Sequence, residues 1–179
     1  DERSYSYLPS KKGDTLSDKI AQHVLRHIDP GFIRYSWLDR GSDERQYCAP
    51  GIDLPIASVM RSKYGEYPEY HTSLDDLNLV TPTGLNGGYW AVRKFIEAIE
   101  MNVIPLAKTL GEPQLGKRGL YNNISIKTKY RNTRSNILLD LLSFSDGTLS
   151  LLEIAEILKL PIQELYDFYL TLKMHNLVE

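Results

Sequence analysis

The sequence predicts an α/β domain followed by a three-helix unit of the winged helix-turn-helix kind. Three observations carry this. An amphipathic helix pattern over residues 16–28 is flanked on both sides by strand-like segments. The run from Leu54 to Met60 is nearly all apolar, as expected of a strand buried on both faces of a parallel sheet. Residues 132–179 hold three further helix patterns and end on a β-like Leu177-Val178. Strand, helix, strand with an intervening loop is α/β logic.

The elements follow in order. Ser4 to Leu8 alternates polar and large residues and predicts a short strand; Pro9 to Asp14 is a turn. Asp14-Thr15 forms the helix entry. Leu16, Ile20, Val24 and Ile28 recur every four residues, and Ala21 and Leu25 widen the stripe. Pro30-Gly31 stops that helix, and Phe32 to Trp37 predicts a strand. A long helix is predicted from Gly84 to Val103, with a wide apolar face from Tyr89, Val92, Ile96 and Ile99 beside Trp90 and Phe95. Gly84, Gly87 and Gly88 mark a turn or a close backbone approach at its start. Between 106 and 131 six basic residues stand against one acid, which reads as a basic linker or docking arm. The last helices are predicted over 136–143, 148–158 and 161–175, with Leu151, Ile154, Ala155 and Leu158 facing inward. The boundaries are therefore 1–105, 106–131 and 132–179.

Composition narrows the setting. The 179 residues are 42% apolar, enough for one domain or two small ones. The net charge of −2 selects no polyanionic partner. A single cysteine, Cys48, cannot form an internal disulfide, which fits a reducing, cytoplasmic compartment. No apolar run reaches membrane-spanning length and no signal-peptide pattern opens the chain. A first residue of Asp in place of Met reads as a piece of a longer protein.

The chemistry-bearing stretch is Gly41-Ser42-Asp43-Glu44-Arg45-Gln46-Tyr47, then Gly51-Ile52-Asp53-Leu54-Pro55, then Tyr70-His71-Thr72-Ser73-Leu74-Asp75-Asp76. A lone histidine follows a strand, just ahead of paired aspartates; a neutral imidazole there is a metal ligand if carboxylates converge on it. The order Ser-Asp, then Gly-x-x-Leu-Pro, then Tyr-His-Thr-x-x-Asp resembles the second half of the co-catalytic zinc aminopeptidases, to which the glutaminyl cyclases are related. It is most similar to bacterial aminopeptidase-like proteins that end in a winged helix.

The resemblance implies part of a mixed aminopeptidase-like sheet with flanking helices, and two zinc ions in the full-length protein. It makes His71 the last zinc ligand and Asp1 a possible co-ligand. The other ligands and the general base fall in an upstream half, outside this chain, so the fragment alone is expected to be inactive. Asp43 stands where the related cyclases use an acid in proton transfer, or else it holds its loop by bonding backbone N–H groups. Glu44-Arg45-Gln46 departs from the family's usual His-x-x. There Arg45 could clamp a substrate carboxylate and Glu44 could read an amino terminus, or both could form ordinary ion pairs. Asp75 or Asp76 could orient His71 or shape the following turn.

The expected reaction is hydrolysis of an amide beside a free amino group, on a small peptide or an amino-sugar amide, with polysaccharide biosynthesis as the setting. The alternative is a non-catalytic aminopeptidase-like scaffold that uses its winged helix for assembly, possible homo-oligomers included. His23 and His27, four apart on one helix, lack the zincin pattern and are read as structural. Cys48 has no evident base beside it and is read as a small core or loop residue. A DNA-binding role is disfavoured: residues 132–179 carry three basic residues and seven acids, a net of −4. Tyr166, Phe168, Tyr169 and Leu170 are instead expected to present an exposed face to another domain or subunit.

Overall fold

Thr15 starts the first helix with a capping box. In the computed structural model, which describes residues 1–121 and 134–179, Thr15 precedes α1 (Leu16–Ile28), and its side chain and that of Asp18 cap each other's backbone. Asp18 does more than cap. Its buried carboxylate also accepts from the Tyr7 hydroxyl at 2.7 Å and the Ser10 N–H at 2.8 Å. It takes further bonds from the Thr15 N–H at 2.9 Å and the Thr15 hydroxyl at 2.6 Å. Burial opposes its charge, but these donors prevail and hold it below the usual aspartate range. Burial, together with the bond to Asp18, raises the Tyr7 phenol.

The chain divides into two units, Asp1–Ile99 and Glu100–Glu179. In the first, a three-stranded sheet has the order β2-β1-β3, with β1 (Ser6–Leu8) central. β2 (Ile33–Arg34) pairs with it parallel and β3 (Ser58–Met60) antiparallel, Ser6 facing both Ile33 and Met60. α1 lays Ala21 and Leu25 on Tyr7 and Phe32 to make the core, with Tyr5, Ala57, Val59 and Phe95 packed around it.

Two strand expectations are corrected. The apolar run 54–60 is neither parallel nor buried on both faces. Only its last three residues pair, and they are half-buried. Pro55 cannot donate to a ladder, Ile56 N–H turns back to Leu54 C=O at 2.9 Å, and Leu54 is exposed. The strand expected over 32–37 shrinks to Ile33–Arg34, because Ser36 and Asp39 cap a 3-10 turn over Trp37–Asp39.

A four-residue helix, α2 (Glu44–Tyr47), follows. The long helix α3 spans Pro82–Glu100, with proline in its first turn where no N–H is needed. Its small residues Gly84, Ala91 and Ala98 are buried, while Tyr89, Val92, Ile96 and Ile99 are exposed. The close approach read from its glycines holds: a Cβ on Gly84 would meet the carbonyl of Asp1, and one on Gly87 would meet the Arg61 guanidinium and the Tyr5 hydroxyl.

The second unit is built on α4 (Arg134–Ser143), α5 (Leu151–Leu158) and α6 (Ile162–Met174). Ser150 and Glu153 form another capping box, and Lys159 ends α5 in the left-handed region. Leu138, Leu141, Leu151, Ile154, Leu165 and Leu172 are wholly buried among them. The start of the basic arm belongs to this unit. Ala107 N–H donates to Ser145 C=O at 2.7 Å, Lys108 N–H to Leu177 C=O at 2.9 Å, and Glu179 N–H to Leu106 C=O at 2.9 Å. The arm's residues 122–131 lie outside the described residues.

The exposed aromatic face expected on α6 is also corrected. Ile162, Leu165, Tyr169 and Leu172 share one stripe and are buried in the unit's own core. The Tyr169 hydroxyl accepts from Lys173 Nζ at 3.1 Å. Tyr166 is half-buried with its ring 5.6 Å from that of Tyr169, and Phe168 is half-buried with Arg134 5.8 Å above its ring. Leu170 remains exposed.

Replacing Asp18 by Ala leaves several buried donors without an acceptor and should cost roughly 3 kcal/mol. Denaturant unfolding measures this. Because the folded Asp18 pKa is depressed, the stabilisation is present above about pH 4 and is lost as pH falls through the folded value. For the second unit, α6 exposes Glu164 and Asp167. The full chain should therefore show no micromolar affinity for random duplex DNA at low salt, and such binding with a steep salt slope would contradict the charge argument.

Candidate functional site

Antiparallel pairing of β1 with β3 brings the residues before β1 and those after β3 to one end of the sheet. Arg3 and Glu69 then fasten the two segments. The guanidinium donates to both carboxylate oxygens, at 2.8 and 3.2 Å, and lies 5.8 Å above the Tyr67 ring. The mutual bond raises the Arg3 pKa and lowers that of Glu69. Arg3 is two residues from Asp1, and Glu69 is two residues from His71. The pair thus ties together the segments that carry both candidate metal ligands.

His71 sits in a turn with left-handed backbone, φ +57°, and is exposed. Its imidazole stacks on the Tyr70 ring at 3.9 Å, and Tyr70 meets Tyr67 edge-on at 5.5 Å. The turn is held by Thr72, whose hydroxyl donates to Glu69 C=O at 2.8 Å. Asp76 accepts from the Asn78 N–H at 2.8 Å and from its side-chain amide at 3.1 Å, so it shapes the following turn. Asp1 accepts from the Arg3 N–H at 2.9 Å.

Glu44 is the second anchor. It is almost fully buried, and one of its oxygens accepts three bonds: from the Gly41 N–H at 2.7 Å, the Ser42 N–H at 2.9 Å and the Tyr64 hydroxyl at 2.7 Å. Burial works against the charge, but the donors outweigh it and keep Glu44 below the usual glutamate range. Burial and the Glu44 bond push the Tyr64 phenol up to about 12. Next to it, Lys63 is buried. Its ammonium donates to Tyr64 C=O at 3.1 Å, lies 3.6 Å from Glu66, and faces the rings of Tyr35 and Tyr64 at 5.2 and 4.4 Å. A cavity of about 310 Å³ opens between Arg3, Tyr35, Lys63, Glu66 and Tyr67.

Sequence reasoning singled out five site residues. The fold gathers the segments of Asp1 and His71. Asp43 and Arg45 are exposed, and Asp43 makes no side-chain capping bond. Glu44, expected to read an amino terminus, is turned inward and holds its own loop; the loop-stabilising carboxylate proposed for Asp43 is one residue later. Tyr64 and Lys63 were missed: nothing in the local pattern links Tyr64 to Glu44, 20 positions away, or shows that Lys63 is buried. Cys48 is buried with its thiol donating to Leu54 C=O at 3.2 Å, a loop role as expected. The His23 and His27 rings meet edge-on at 4.8 Å. Among the described residues no three His, Cys, Asp or Glu side chains converge to hold a metal ion. His71 offers the donor type zinc takes, but no three such side chains converge among the described residues, short of the four a tetrahedral site uses. No helix among the described residues is long and apolar enough to cross a membrane.

Residues 1–102 match the model of a domain of unknown function, DUF4910. The chain belongs to the DUF4910 family. Residues 102–179 match a winged helix-turn-helix model. A Clostridium acetobutylicum protein named "Putative polysaccharide biosynthesis protein with aminopeptidase-like domain" is 40% identical over 151 residues, 84% of this chain and 34% of that protein. A crystal structure described as a "putative peptidase" of the same organism superposes with a TM-score of 0.86 at 33% identity, covering all of this chain and 39% of that one. This DUF4910 chain therefore spans little more than a third of the length of the relatives it matches.

Glu44→Gln should destabilise the chain by about 2 kcal/mol, since a neutral amide accepts its three donors less well. Combined with Tyr64→Phe, the loss should be less than the sum of the two singles, as measured by denaturant unfolding of the double-mutant cycle. With a depressed folded pKa, the advantage of Glu44 over the glutamine variant is full above the ordinary glutamate value of 4.5 and fades as pH falls through the folded value.

Proposed function

We propose that this chain carries part of the site of an aminopeptidase-like, zinc-dependent hydrolase that cleaves an amide beside a free amino group. The observation that carries the reading is the Arg3–Glu69 clasp, which holds the segment of Asp1 against the segment of His71 at one end of the sheet. The similarity to a protein named for an aminopeptidase-like domain, and to a peptidase-described crystal structure, supports it.

In this reading His71 and Asp1 each supply one zinc donor, and the remaining donors and the general base come from elsewhere in the complete protein. When bound, zinc would lower the pKa of a water and polarise the carbonyl. The chain's own residues do the positioning. The left-handed turn and the Tyr70 stack fix the direction of the His71 ring. Glu44 and Tyr64 hold the 41–44 loop so that exposed Asp43 and Arg45 face outward, Asp43 to move a proton and Arg45 to meet a substrate carboxylate. With polysaccharide biosynthesis in the name of the Clostridium relative, our reading takes an amide on a modified sugar as the substrate class.

The complete protein should bind about two zinc ions per chain, as co-catalytic sites do, and His71→Ala should lower this count by about one. Elemental analysis after chelation and re-zincation measures it. Unchanged zinc content in the variant would remove His71 from the site, and a zinc-free, stable complete protein would favour a non-catalytic scaffold.

A further inference from the structure

We propose that the cavity between Arg3, Lys63 and Tyr67 is a subsite for one sugar ring of the substrate. The inference rests on the reading above and adds to it a place for the sugar. At about 310 Å³ the cavity sits at the low end of small-molecule sites, about 300–1,000 Å³. It suits one ring better than a chain of them. It lies at the sheet end that also carries Asp1 and His71. Tyr67, on its wall, leads through Tyr70 to the His71 imidazole.

Charge decides what it takes. Each cation on the wall already has an acid: Arg3 is bonded in bidentate fashion to Glu69, and Lys63 lies 3.6 Å from Glu66. A phosphate or carboxylate would sit beside the negative charge of Glu69 or Glu66. A neutral polyol carries no charge for them to repel. Its hydroxyls donate to carboxylates and accept from ammonium and hydroxyl groups, and the wall offers both kinds through Ser4, Ser62, Lys63 and Glu66.

Lys63 supplies the strongest single demand. Its side chain is 6% exposed, and among the described residues one acceptor, Tyr64 C=O at 3.1 Å, lies within hydrogen-bond length. Glu66 at 3.6 Å is too far for a full bond. An ammonium carries three donors, and its other neighbours are the faces of Tyr35 and Tyr64, so a ligand hydroxyl would be a stronger acceptor than either ring. Tyr35 and Tyr67 add aromatic faces of the kind on which the C–H face of a pyranose ring packs.

The test is titration of the full, metal-free chain with N-acetylglucosamine, with inorganic phosphate in parallel, followed by calorimetry and NMR. The sugar should bind, shift the signals of Ser4, Ser62 and Tyr67, and outcompete phosphate. Glu66→Gln and Ser62→Ala, both mild changes at the rim, should each weaken it at least fivefold. No sugar binding, unchanged affinity in both variants, or tighter binding of phosphate would overturn the subsite. Zinc plays no part in this experiment. Sugar binding with no zinc effect at His71 would sink the hydrolase reading alone, and the reverse result would sink the subsite alone.

Discussion

The pairing of β1 with β3 sets the geometry on which every candidate residue depends. It is antiparallel, so the chain entering β1 and the chain leaving β3 share one end of the sheet. A parallel β3, as the apolar run suggested, would carry residues 61–71 to the opposite end. Arg3 could not then reach Glu69, and the cavity would have no floor. Three residues of ladder are little on their own. Tyr7 in β1 is therefore held a second time, by the Asp18 carboxylate, and its ring is packed edge-on against Phe32 at 6.5 Å. One buried charge thereby locks the start of α1 to β1, at the end of the strand away from Arg3.

Periodicity showed what is local and hid what is tertiary. α1 was legible to the residue, since Asp14-Thr15 marks its entry and the apolar stripe repeats every four residues. The three helices of the second unit were legible for the same reason. The partners of the sheet were not, because an apolar run cannot report whether its neighbour runs parallel or antiparallel, and Pro55 shortened the strand from within. The aromatic residues of α6 misled differently. Tyr166 and Phe168 flank the stripe, but Tyr169 belongs to it, and a helical wheel cannot tell a core tyrosine with a bonded hydroxyl from an interface one. Here the bond from Lys173 lets the phenol sit inside.

The candidate site was legible in its loops and not in its contacts. The histidine turn and the Ser-Asp loop were visible as sequence. The Arg3–Glu69 pair, separated by 66 positions, was not. Neither was the Glu44–Tyr64 bond, although a glutamate beside Gly41-Ser42 is well placed to accept two successive N–H groups. The basic arm divided in two. Its first residues thread between the 145–147 turn and the 177–179 end, because an extended segment there satisfies backbone groups that α4 and α6 leave open.

The two buried carboxylates also narrow where proton transfer can occur. A general base works best with a pKa close to the operating pH, which for an acid means a raised value. Asp18 and Glu44 are buried, the usual route to a raised pKa, yet each is surrounded by enough donors to be lowered instead. Their charge is fully committed to holding the backbone around α1 and the 41–44 loop. Protonating either one would weaken the bonds that hold the backbone around it. Within the 41–44 loop, Asp43 is the acid without such a commitment, since it is exposed and its side chain bonds no cap. The difference between neighbours is physical: Glu44 is inward and holds the backbone of its loop, while Asp43 is outward and holds none of it.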